Sequence, residues 1–316
     1  MIGAILAMAL AAAAPGPATA EVTAPGPQGP LAGTAIDAGP GAPVVLIVPG
    51  SGPTDRDGNN PLGVTAAPYR LLAEALAARG ISSVRIDKRG MFGSKAAVAD
   101  ANAVTVSDYS ADVHAWVAAI RARSGVPCVW LIGHSEGGLV VLQSAQSAEG
   151  ICGVVTLAAA GRPLGDVMRD QFRANPANAP ILEPALAAIE SLEYGNRVDP
   201  ADLPPALLSV FAPQVQGFLI DLFAWDPRQL SASSPVPLLI VQGDRDIQIG
   251  VSDAEGLKAA APEARLAVLP GVTHVLKLAT APGFAGSLAT YSDPSLPVAP
   301  GVVDAVADFV TGKAAP

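Results

Sequence analysis

One sharp turn constrains this chain more than any other feature. Residues 129–132 are apolar and read as a short buried strand, and residues 139–148 read as a helix. Gly133-His134-Ser135-Glu136-Gly137 stands between them. A strand that turns into a helix within so few residues holds its central residue at a strained point, with the Ser135 hydroxyl projecting from the sheet edge. The flanking glycines let the chain turn without a Cβ clash. The helix that follows aims its unpaired N–H groups at the place where an oxyanion would form.

The rest of the chain alternates. Strands are predicted over 44–48, 81–86, 129–133, 151–158, 236–241 and 265–269. Helices are predicted over 69–79, closed by Gly80, over 104–123, capped by Ser107, and over 253–260 and 302–310. The Gly-, Pro- and Ala-rich stretch 21–43 supplies one early strand, 31–37. Such alternation predicts an α/β fold: a mainly parallel sheet, helices on both faces and right-handed crossovers. Residues 162–234 break the rhythm with helical pieces over 165–173, 181–192 and 206–224, many prolines and no strand. They read as a helical cap, so the core comprises 21–161 and 235–316.

Half of the 316 residues are hydrophobic, enough for a sizeable core, and the net charge of −9 argues against nucleic-acid or anionic-membrane partners. Residues 2–14 are an apolar run too short to span a bilayer. With Ala18-Thr19-Ala20 behind it, the run reads as a signal peptide over 1–20, cut before Glu21, although no Lys or Arg precedes it. This predicts export, to the periplasm or outside the cell. Cys128 and Cys152 each open a predicted strand. Export permits a disulfide between them, while the geometry of adjacent parallel strands speaks equally for two buried thiols.

A serine hydroxyl needs a base to take its proton. Of the three histidines, His134 neighbours Ser135 and points away, packing below the turn, and His114 lies mid-helix. His274 follows the last predicted strand and reaches the same sheet edge as Ser135, so it is the expected base. The acid that orients it lies at the end of the preceding strand, in Gly243-Asp244-Arg245-Asp246. Asp246 is favoured over Asp244, with the other carboxylate pairing with Arg245. The oxyanion donors are the backbone N–H of Glu136 and, in the Gly-rich loop after the first strong strand, that of Ser51, with Gly52 as second choice. The charges at 55–57 and 87–89 read as structural, with Arg56 or Arg89 pairing with Asp55, Asp57 or Asp87.

Pro49-Gly50-Ser51-Gly52-Pro53-Thr54-Asp55-Arg56-Asp57-Gly58-Asn59, Arg85-x-Asp87-Lys88-Arg89-Gly90-x-x-Gly93-Ser94 and Trp225-Asp226-Pro227 resemble loops of the α/β-hydrolase superfamily. The nearer likeness is to serine carboxylesterases with a helical cap, often called lysophospholipase-like. Pro49 stands where many relatives have His. The resemblance implies hydrolysis of small-molecule carboxylic esters, with small to medium acyl chains, through a Ser135–His274–Asp246 triad and an acyl-enzyme. With no His-Glu-x-x-His, no Gly-x-x-x-x-Gly-Lys and only three histidines, no cofactor and no metal are expected. A thioesterase, lysophospholipase or peptidase would use the same triad, and a non-catalytic binding protein could share the fold. Phe211, Phe218, Leu222 and Trp225 are expected to line an acyl pocket.

Overall fold

The computed structural model describes residues 18–313. The chain builds an eight-stranded sheet from β1 (Thr19–Ala24), β2 (Leu31–Ile36), β3 (Val44–Val48), β4 (Ser82–Ile86), β5 (Val129–His134), β6 (Ile151–Leu157), β7 (Leu238–Gly243) and β8 (Arg265–Leu269). The spatial order is β1-β2-β4-β3-β5-β6-β7-β8. Strands β3 to β8 are parallel, and β2 is antiparallel to both its neighbours. Two opening strands are present where the sequence predicts one. β1 is a mostly exposed edge strand with no apolar run to announce it, and six residue pairs with β2 hold it. The apolar run 2–14 lies outside the described residues, and a cut before Glu21 would remove the first two residues of β1.

The helices are α1 (Pro68–Ala77), α2 (Val106–Ser124), α3 (Glu136–Ser144), α4 (Leu164–Ala174), α5 (Leu182–Glu193), α6 (Gln216–Phe223), α7 (Pro227–Ala232), α8 (Val251–Ala260), α9 (Gly283–Leu288) and α10 (Pro300–Val310). Alternate residues of the central strands serve opposite faces. Leu46, Leu131 and Val154 join a core with Trp116, Val141 and Leu257 from α2, α3 and α8. Val45, Ile132 and Val155 join another with Leu72, Leu76 and Val302 from α1 and α10. Burial on both faces is why β3 is an unbroken β-branched and leucine run.

Two local expectations change, and one open alternative is settled. The cap of α2 is Thr105, not Ser107: its hydroxyl accepts from the Asp108 N–H while the Asp108 carboxylate accepts from the Thr105 N–H. That reciprocal pair satisfies two otherwise orphan donors. The helix predicted over 206–224 shrinks to α6, because Pro213 lies inside the predicted span and cannot donate to a helical bond. Cys128 and Cys152 form a disulfide with a Cα–Cα distance of 5.2 Å. The strand register explains how. Val129 pairs with Ile151 but Trp130 pairs with Gly153, so Cys152 is an extra residue in a bulge, which re-aims its side chain.

Between β6 and β7 the insertion has its own apolar core, with Ile189, Leu192, Leu207, Phe211 and Phe223 among its members. It meets the sheet's helices through a small cluster of Val106, Leu139 and Leu222. No helix among the described residues is long and apolar enough to cross a membrane.

Candidate active site

Because β3, β5, β7 and β8 run parallel, the segments that follow them emerge at one rim of the sheet. Ser135 sits where β5 becomes α3, at φ 53° and ψ −121°. A non-glycine residue is rarely held there, and such strain collects at functional sites. The turn is tight enough that a Cβ on Gly133 would strike the Gly137 carbonyl, and one on Gly137 would strike that of Val48.

Asp246 follows β7 and His274 follows β8. His274 Nδ1 lies 2.8 Å from Asp246 Oδ2. Both side chains are nearly sealed, at 6% and 1% exposure. The Asp246 carboxylate also accepts the N–H of Gln248 (2.7 Å) and Ile249 (2.9 Å) and the Gln242 amide (3.1 Å). Burial pushes this carboxyl up, but the His274 charge and hydrogen bond, with the two N–H groups, outweigh it and hold it below the ordinary value. Asp244 faces elsewhere: it accepts the Gly271 N–H at 2.7 Å and has Arg245 at 3.9 Å. His274 and Ser135 line one cleft of about 160 Å³ with Ser51, Asn60, Gln248 and Tyr291. Ser135 Oγ has no hydrogen-bond partner among the described residues. A larger recess of about 450 Å³ lies at the opposite rim, around the amino ends of β3 and β4, and has no histidine in its lining.

His134 does pack below the turn, and its hydrogen bonds form a chain that the sequence did not announce. His134 Nε2 is 2.8 Å from the His274 carbonyl, which can only accept, so Nε2 carries the proton. Burial, reinforced by the neighbouring His274, drives the His134 pKa down to about 3, which keeps the ring neutral. Nδ1 must then accept, and Tyr69 Oη lies 2.8 Å away as donor. Burial likewise pushes the Tyr69 phenol up, so it keeps its proton. Its oxygen in turn accepts the Gly50 N–H at 3.1 Å. One directed chain thus ties the loop after β3 to the backbone of His274.

With the Gly50 N–H engaged, Ser51 offers the next backbone donor of that loop. Neither the Ser51 nor the Glu136 N–H has an internal partner among the described residues. Glu136 is the first residue of α3, where unpaired N–H groups are intrinsic to a helix.

The charged loops are structural, with partners that differ in part from expectation. Arg56 grips Asp87 through Nε (3.0 Å) and Nη2 (2.7 Å). Arg89 turns instead to α2, binding Asp112 through Nε (2.7 Å) and Nη2 (2.8 Å), with Asp108 beside it. Asp57 pairs with Arg85, and Asp55 accepts the N–H of Asp57 and Asn59 within its own loop.

Of the four expected acyl-pocket residues, two reach Ser135. Leu222 and Trp225 line a small recess with Ser135, Glu136, Leu139 and Leu164. Phe211 lies inside the insertion's own core, stacked on Phe172, and Phe218 packs edge-on against Tyr109 of α2.

Residues 44–285 match the profile of the Alpha/beta hydrolase family. The chain belongs to that family. It is 30% identical over 217 residues to Esterase EstD of Thermotoga maritima, a match that covers 67% of this chain and 48% of that protein. The chain therefore spans about half the length of that curated relative. Among solved structures, Est1E from Butyrivibrio proteoclasticus aligns over 92% of this chain and 98% of its own, with 15% identity and TM-score 0.56. Proline iminopeptidase of Mycobacterium smegmatis aligns over 93% and 98%, with 16% identity and TM-score 0.57. At such identities these two structures speak for the alpha/beta hydrolase fold alone, and the second carries a peptidase's name on it.

Proposed function

We propose that this alpha/beta hydrolase cleaves carboxylic esters of small molecules, with Ser135 as nucleophile, His274 as general base and Asp246 as the acid that orients it. The observation that carries the reading is the sealed Asp246–His274 bond, set at the rim of a cleft that the strained Ser135 also lines. Asp246 keeps the imidazole Nδ1 protonated, which leaves Nε2 free to accept the serine proton. Ser135 attacks the ester carbonyl while the N–H groups of Ser51 and Glu136 take the oxyanion. His274 then protonates the leaving alcohol, and water, activated by the same imidazole, releases the acid. The name of the EstD relative supports ester chemistry.

Two recesses flank Ser135, and the chemistry sorts them. The group that leaves must lie beside His274, which protonates it. The 160 Å³ cleft contains His274, Asn60, Gln248 and Tyr291 and suits a polar alcohol. The recess bounded by Leu139, Leu222 and Trp225 lacks His274 and suits the acyl group, and its small size favours short chains. Two measurements test this. A fluorophosphonate probe should label the wild-type protein and not Ser135→Ala, and kcat/KM for p-nitrophenyl esters should fall steadily from acetate to octanoate. Absence of labelling would favour a binding protein on the same fold. A rise in rate with chain length would reverse the assignment of the recesses.

Export remains part of the same reading. The Cys128–Cys152 disulfide supports an oxidising compartment. Amino-terminal sequencing of secreted protein should begin at Glu21.

A further inference from the structure

Lys88 follows β4 and is only 4% exposed, yet it takes no part in the arginine–carboxylate pairs on either side of it. Its ammonium donates to the Gly50 carbonyl at 2.8 Å and to Glu136 Oε1 at 3.1 Å, and it stands 5.3 Å from the centre of the Tyr109 ring. Both acceptors belong to the segments that supply the two oxyanion donors. Glu136 carries one of the N–H groups itself. The Gly50 carbonyl shares its peptide plane with the other, the Ser51 N–H.

That shared plane fixes a direction. In a trans peptide the C=O and the N–H point opposite ways, and the described residues contain no cis peptide. Holding the Gly50 carbonyl against Lys88 therefore turns the Ser51 N–H away from it. The Gly50 N–H is held in turn by Tyr69. A carbonyl that accepts from an ammonium also polarises its own amide, making the N–H a stronger donor.

We infer that Lys88 is a positioning residue for the oxyanion site, a buried clamp that joins the loop after β3 to the start of α3 and so sets the spacing and aim of the Ser51 and Glu136 N–H groups. The inference rests on the ester-hydrolase reading above. Stability alone gives little reason for the pair, since apolar residues of similar volume commonly replace a buried ion pair without loss.

The test is Lys88→Met combined with Glu136→Gln, so that no carboxylate is left buried without its partner. On p-nitrophenyl acetate kcat/KM should fall about 10- to 100-fold, less than the loss of an oxyanion donor outright, with KM changed less than about threefold. Affinity for a boronic acid that mimics the tetrahedral intermediate should fall by the same factor as kcat/KM. Lys88→Arg, which keeps charge and donors, should recover part of both. Should the double variant not fold, Lys88→Gln combined with Glu136→Gln, which keeps a neutral polar pair and leaves no buried carboxylate unpaired, supplies the same comparison. An unchanged kcat/KM would overturn the clamp. So would lost activity with undiminished boronate affinity, which would leave the oxyanion site intact and place the loss in another step. If the wild-type protein itself neither hydrolyses the ester nor is labelled at Ser135, the ester-hydrolase reading fails and the clamp with it. Wild-type activity with indifferent variants removes the clamp alone.

Discussion

At the carboxyl rim of the sheet, side chains are fixed by directed polar contacts, whereas the insertion between β6 and β7 is held mostly by apolar packing. Asp246 accepts four hydrogen bonds and His134 makes two. The insertion instead closes around Ile189, Leu207 and Phe211, and reaches the core through Leu222 and a few scattered polar contacts, among them Asp221 Oδ2 accepting the Val106 N–H at 2.7 Å, Arg162 on Asp253 and the Gln171 amide on the Gln248 carbonyl at 3.1 Å. Hydrogen bonds specify angles and proton positions, while apolar packing specifies volume. On the proposed ester-hydrolase reading, the rim would set the reaction and the insertion the size of what reacts.

The largest effect should come from breaking direction at the rim while keeping its volume. Asp246→Asn preserves size but offers an amide where the carboxylate accepted the His274 Nδ1 proton. A flipped tautomer would then turn a protonated Nε2 toward Ser135. We expect kcat to fall on the order of 1,000- to 10,000-fold with KM little changed. A loss below about tenfold would transfer the orienting role to another acid, with Asp244 the first to test by the same substitution.

Next in size is the acid sensitivity built into His134. The folded protein holds this histidine neutral down to about pH 3, whereas an unfolded chain protonates it near the reference value of about 6.5. As pH falls through that window the unfolded state binds the proton and the native state does not. Stability from this group is therefore complete above about pH 6.5 and declines by about 1.4 kcal/mol per unit toward pH 3. Asp246, also lowered, adds its loss only below the unfolded carboxylate value of about 3.9, so between pH 6.5 and 4 these two rim groups can be separated. Urea unfolding at pH 7 and pH 4.5 checks it. The gap in stability between wild type and His134→Gln should narrow on acidification; a constant gap would mean that His134 is not held neutral by the fold.

The same contrast explains what could be read from the sequence. The shared placement of the candidates Ser135, His274 and Asp246 is legible because a turn, a strand end and chain order each leave a local mark, and the three follow parallel strands whose ends must coincide. β1 left no mark, because an exposed edge strand needs backbone pairing and little apolar pattern. Tyr69 and Lys88 were invisible as site residues because their partners, His134, Gly50 and Glu136, lie 19 to 65 residues away in the chain. Arg89 went to α2 because Asp108 and Asp112 stand one helical turn apart facing it, a face that only packing reveals. Phe211 and Phe218 read as pocket residues because hydrophobicity alone does not say which surface a helix buries.

The smallest effect belongs to the insertion, and it should alter choice more than rate. Trp225 is half-buried and walls the small recess beside Ser135 with Leu222 and Leu139. Trp225→Ala removes volume from that wall without touching Asp246, His274 or the chain through His134. The ratio of kcat/KM for p-nitrophenyl butyrate over acetate should rise by about tenfold, the scale at which a hydrophobic pocket discriminates a methylene or two. The rate on acetate itself should stay within about threefold, since the oxyanion donors and the base keep their places. A variant that loses acetate and butyrate hydrolysis alike would show the insertion acting on the geometry of the rim. A variant whose preference does not move would place the acyl chain in the cleft with His274, and the two recesses would then exchange roles.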